Sequence, residues 1–85
     1  MDYLKAFNQI VNALETHQND LKDLVEIKSN YQNLLNQLSK GEDTPANQEQ
    51  IRRISKDLQY ANKLIAKCQT AIQIFSQALS SPNPN

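Results

Sequence analysis

The chain has one glycine, one cysteine, one histidine, one methionine and no tryptophan in 85 residues. Each scarcity removes a class of answer. With Gly41 alone and prolines only at positions 45, 82 and 84, there are few places to turn, which favours a few long elements over many short ones. The lone Cys68 excludes an intramolecular disulfide and fits a reducing compartment. Two Phe and three Tyr leave the large side chains of a globular core in short supply. Nine acidic residues match nine basic ones, so the excess of Lys and Arg that displaces counterions from nucleic acid is missing. No apolar run approaches the ~18 residues of a membrane span, and no basic-then-apolar segment of signal-peptide type opens the sequence. The expectation is a cytoplasmic protein, with export that needs no cleaved signal left open. At this length it is one domain at most, at the small end of what folds alone.

What the chain does have is a rhythm. Between Tyr3 and Lys40 there is no Gly or Pro, and apolar residues recur at alternating steps of three and four. Phe7, Ile10 and Leu14 begin the series, Leu21 and Leu24 continue it, and Tyr31, Leu35 and Leu38 close it. His17 and Lys28 fill the two remaining places. The second half repeats the pattern without a charged interruption: Ile51, Ile54, Leu58, Ala61, Ile65, Cys68, Ile72, Phe75, Leu79. This is the helical heptad, with no sign of strand alternation.

Between the two series lies Gly41-Glu42-Asp43-Thr44-Pro45, the strong turn signal of the chain. Lys40-Gly41 reads as a helix end, a cation at the negative pole followed by a residue that accepts a left-handed conformation cheaply. Thr44 is placed to cap a second helix, and Pro45 suits its first position, where the missing N–H costs nothing. Asp2 is placed to cap the first helix. The fold class expected is all-α, two long helices forming an antiparallel coiled-coil hairpin. The helices would run from about 3 to 40 and about 45 to 80, with a turn at 41–44 and a disordered tail at 81–85.

Folding back at the turn fixes a register. Pairing Leu38 with Ile51, Leu35 with Ile54, Tyr31 with Leu58 and Lys28 with Ala61 gives numbers that sum to 89. Leu24 with Ile65, Leu21 with Cys68, His17 with Ile72, Leu14 with Phe75 and Ile10 with Leu79 obey the same sum. The charges agree with it. Residues 1–45 carry seven acids and four bases, and residues 46–85 carry two acids and five bases, so halves of opposite sign attract when folded together. Asp20, Asp23 and Glu26 should then approach Lys63 and Lys67. A second architecture stays open at Glu15-Thr16-His17-Gln18-Asn19-Asp20, a polar stretch where Asn19 or Asp20 could start a new helix and give a three-helix bundle. The unbroken heptad phase favours one continuous helix.

Chemistry-bearing residues are sparse. His17 and Cys68 fall near each other on opposite helices, but a small thiol in a packed layer and a polar interruption that fixes register account for both. Two such ligands do not complete a tetrahedral metal site, and a two-helix hairpin offers no enclosed substrate pocket. No catalytic, cofactor or metal residue is assigned, and no small-molecule substrate or enzymatic activity is expected. Arg52, Arg53 and Lys56 form a basic cluster whose simplest reading is a solvated face drawn toward Glu42 and Asp43. A nucleic-acid patch is its alternative.

The informative surplus is apolar surface beside the seam. Leu4, Val11 and Val25 lie on one flank of the first helix, and Ile27 and Leu34 on the other. Leu64, Ala71 and Ala78 flank the second series, with Tyr60 and Ile74 further round. Burying a Leu or Ile side chain is worth roughly 1.5–3 kcal/mol, so several left in water favour association, and contiguous patches of this kind mark interaction sites. Val25, Ile27, Leu34, Leu64 and Ile74 are the candidate partner-binding residues. Either a second copy or a different helical protein could cover them.

The stretch Leu38-Ser39-Lys40-Gly41-Glu42-Asp43-Thr44-Pro45-Ala46-Asn47-Gln48-Glu49-Gln50-Ile51 resembles the turn of the needle-subunit co-chaperones of bacterial type III secretion. In that family a helix ends in a Gly-containing loop and a Gln-rich start leads into an Ala/Ile/Leu-rich second helix. The resemblance covers about half the chain. It implies a small secretion chaperone that binds a helical partner, a second chaperone with which it keeps the needle subunit monomeric in the cytoplasm. The needle subunits are hairpins of similar size with a turn bounded by two prolines; here only Pro45 is present, and the chain ends in Ser-Ser-Pro-Asn-Pro-Asn. A self-assembling filament or bundle subunit is the alternative role, and an adaptor using the basic cluster a third.

Overall fold

The structure, a computed structural model, describes residues 2–80. Two helices account for nearly all of them: α1, Asp2–Ser39, and α2, Pro45–Ser80. Both lack internal Gly, and the only proline in either is Pro45 at the first position of α2. Nothing within them breaks the ladder. Asp2 is the first helical residue and not the residue before it. In that first turn its carboxylate faces the positive pole of the helix. The stretch 81–85, expected to be disordered, lies outside the described residues.

α1 runs unbroken through Glu15–Asp20, so the three-helix alternative falls. The polar stretch stays helical partly because its hydroxyl stays within the helix: Thr16 Oγ1 donates to the Asn12 carbonyl at 2.9 Å.

The turn is built from its own polar groups. Lys40 N–H is shared between the carbonyls of Asn36 and Gln37 at 3.3 Å each, and Gly41 N–H donates to Leu38 O at 3.1 Å. These satisfy carbonyls that a helix end would otherwise leave open. Gly41 is not in the left-handed region expected of it. Its contribution is room, since a Cβ would meet Asn47 Nδ2 at 3.3 Å and Leu38 O at 3.4 Å. That amide is held in place, donating to Glu42 O at 2.7 Å. Thr44 caps α2 as expected: Asn47 N–H donates to Thr44 Oγ1 at 3.1 Å, and Gln48 N–H to Thr44 O at 2.9 Å.

Helices of 38 and 36 residues laid end to end would span about 110 Å at 1.5 Å per residue. The molecule measures 64 × 18 × 14 Å, so they lie side by side. All eighteen seam positions predicted from the heptads are buried or half-buried. Leu24 shares clefts with Ala61, Leu64 and Cys68, the residues that bracket its expected partner Ile65. One contact was not foreseen from the sequence. The ring of His17 stacks on Phe75, one helical turn along α2 from its expected partner Ile72, with centroids 5.7 Å apart and planes at 17°. The near-parallel planes at that separation are an offset stack, a favoured arrangement of flat rings.

Two helices bury only one line of side chains, and the depth of this seam shows it. Ala61 at 4% exposure and Ile65 at 8% are the buried ones among the described residues, both on α2. Lys28, the expected partner of Ala61, is half-buried; a lysine covers such a small neighbour with its stem while the ammonium reaches water. Beyond the last layer the seam opens. Phe7 is 51% exposed and Tyr3 74%, both lying past the nine paired layers.

Candidate functional site

The two flanks of the seam are not alike, and the difference makes the site. On one flank Ile27 of α1 and Leu64 of α2 stand across from each other over Leu24. Together they line a cleft of about 370 Å³ with His17, Asp20, Asp23, Lys67 and Cys68. The same three apolar residues line a second cleft of about 260 Å³ with Tyr31, Asp57, Tyr60 and Ala61. Shared walls make these one groove along the middle of the hairpin. Its floor is the seam, its walls are apolar, and its rim carries Asp20, Asp23 and Lys67 toward the open end and Asp57 toward the turn. A further hollow of about 360 Å³ on α2 is lined by Ala66, Lys67, Thr70, Ala71 and Ile74, with Lys67 between it and the groove.

Of the five candidate partner-binding residues, the structure brings Ile27 and Leu64 together in the groove. Leu34 lies one heptad beyond Ile27 on the same flank and is 41% exposed. Ile74 is exposed in the adjoining hollow. Val25 is half exposed but stands two residues from Ile27, about 200° around the helix, on the opposite flank. There α2 offers Ser55, Asn62, Gln69 and Ser76 at the facing positions. No apolar wall completes a groove on that side. Asp57 was not singled out from sequence; the signal was its place seven residues before Leu64, which puts it on the same stripe.

The rim charges show part of the expected approach between the halves. Asp20, Asp23 and Lys67 line one cleft, whereas Glu26 and Lys63 do not join it. Among the described residues the ion pairs belong to Glu49 alone, which accepts from Arg52 at 2.7 Å and Arg53 at 3.3 Å. The basic cluster thus pairs within its own helix and not with the acidic turn, where Asp43 instead accepts from Gln48 Nε2 at 2.7 Å. The hydrogen bond from Arg52 is the main reason the Glu49 carboxyl is held below its usual range, and Glu49 in turn raises the guanidinium of Arg52.

His17 and Cys68 do line the same cleft, but no hydrogen bond joins them among the described residues. The His17 Nδ1 is buried without a partner, so the imidazole is held by its stack on Phe75 and not oriented by an acid or a thiol. A nucleophile–base pair requires that orientation. Among the described residues no three potential metal ligands cluster, and no helix is long and apolar enough to cross a membrane.

Fold and site together define an all-α two-helix hairpin with one grooved flank. No protein-family model matches the chain, and no curated protein or solved structure matches it.

Proposed function

We propose that this protein is a non-enzymatic interaction module, a small secretion chaperone that holds an amphipathic helix of its client in the groove over Leu24. The observation that supports this most is the pairing of apolar walls across a common floor: Ile27 from α1, and Leu64 and Tyr60 from α2. A helix that lays its own apolar stripe into such a groove buries both surfaces at once, the helix-in-groove mode of recognition. The resemblance of the turn and the start of α2 to needle-subunit co-chaperones, which act with a second chaperone, suggests the client class, a helical export substrate kept monomeric before secretion.

The test is comparative capture. Tagged wild type, Leu64→Asp and Val25→Asp are expressed in the native cell, and co-purifying proteins are identified by mass spectrometry. The expected result is a helical export substrate recovered with wild type and Val25→Asp and lost with Leu64→Asp, all three keeping the same helix content. Equal recovery with all three, or a client unrelated to secretion, overturns the proposal in its groove or in its class respectively.

A further inference from the structure

We propose that, before a client arrives, a second copy of this chain covers the groove, as a two-fold dimer whose turns lie at the same end. The inference rests on the reading of the groove as a helix-docking face, and adds what occupies that face in the free protein.

The size of the face suits a second hairpin. A surface 64 Å long and 18 Å wide has a footprint of roughly 1,000 Å², above the ~800 Å² per partner of a standard interface. A two-fold dimer uses the same patch on both copies, so the patch must be complementary to itself. Two hairpins stacked groove to groove can satisfy a two-fold axis in two ways. The axis runs along the hairpin, or it runs across it.

The rim charges distinguish these. Asp20 and Asp23 on α1 stand at the level of Lys67 on α2, and all three line one cleft. None forms an ion pair among the described residues. In the 89-sum register Lys67 lies opposite position 22, close to the midpoint of α1, Asp2–Ser39. An axis across the hairpin therefore lays α1 on α1 and α2 on α2, with Asp20 and Asp23 against their own copies and Lys67 against Lys67. An axis along the hairpin lays α1 over the α2 of the partner copy and sets each acidic pair against a lysine. Like charges juxtaposed at an interface select against an arrangement, and opposite charges fix it. The wider asymmetry agrees, since the first half of the chain is net acidic and the second half net basic. Ile27 and Leu64 stand at nearly the same level, so the along-axis arrangement also brings each onto the other's counterpart.

The test reads arrangement and mass together. Glu42→Cys, at the turn, is spin-labelled in a Cys68→Ala background, and pulsed dipolar distances are recorded on the full chain alongside its sedimentation mass. A dimer with turns at one end gives an inter-label distance near the thickness of two packed helix layers, about 20 Å. A distance approaching the 64 Å length of the hairpin overturns the arrangement. A monomeric mass, or steadily growing filaments, overturns the dimer while leaving client capture at Leu64 to be judged on its own. Lys67→Glu, a surface change, should weaken the dimer at least tenfold, and adding Asp23→Lys should restore most of it. Unchanged dimerisation in Lys67→Glu also contradicts the proposal.

Discussion

The two flanks of the hairpin share a backbone and a seam and differ in one respect, whether both helices are apolar at the same level. On the Val25 flank α1 supplies Leu4, Val11 and Val25, but α2 answers with Ser55, Asn62, Gln69 and Ser76. On the Ile27 flank α2 answers with Tyr60, Leu64 and Ala71. An apolar side chain on one helix alone is ordinary surface. Apolar side chains facing each other across a seam make a wall and floor into which a third helix fits. Exposure by itself does not find the docking surface. Val25 and Ile74 are exposed to a similar degree, 50% and 57%, yet only the second adjoins the groove.

The comparison can be broken first at the seam, which both flanks need. Ile65→Ala removes one of the two buried side chains and should cost about 2–5 kcal/mol, read as loss of the cooperative thermal transition by circular dichroism. Retention of the wild-type midpoint would mean that the helices are not packed along this line. Next comes the imbalance between the ends. His17 carries a buried nitrogen with no partner, so His17→Leu should stabilise the hairpin by roughly 1 kcal/mol, measured by urea unfolding. A loss of stability would show that the stack on Phe75 outweighs the unsatisfied atom. The smallest effect belongs to the exposed Glu49 pairs. A depressed carboxyl contributes stability that is present above its ordinary value of 4.5 and lost as pH falls through the lower folded value. Glu49→Gln should therefore leave the melting midpoint at pH 7 almost unchanged, because such pairs are solvent-screened. A large drop would assign the start of α2 a role this account does not give it.

Much of the architecture was legible because a heptad is a strong periodic signal and the turn residues are few. Thr44 and Pro45 start α2 where the spacing places them, and the seam positions follow one arithmetic sum across both halves. What escaped was shape and conformation at single residues. The His17 ring finds Phe75 a turn away from the layer that position counting assigns, since flat rings prefer to stack. Gly41 serves by its lack of a side chain and not by a left-handed backbone. The destination of Arg52 and Arg53 also differed, because Glu49 three and four residues away on the same helix outcompetes a turn carboxylate that must be reached across open water. The groove was half legible. Leu64 and Ile27 were visible as flank residues, but the depth of the cleft they line with Tyr31 and Asp57 depends on how closely the helices pack, which the heptad does not set.

The most direct measurement is of the flanks side by side. Methyl spectra of the Ile, Leu and Val side chains are recorded as the free protein is concentrated from the micromolar to the millimolar range. The account predicts concentration-dependent shifts at Ile27, Leu34, Leu64 and Ile74, with Leu4, Val11 and Val25 unmoved. Shifts at Val11 and Val25 with Leu64 unchanged would place the docking surface on the other side of the hairpin.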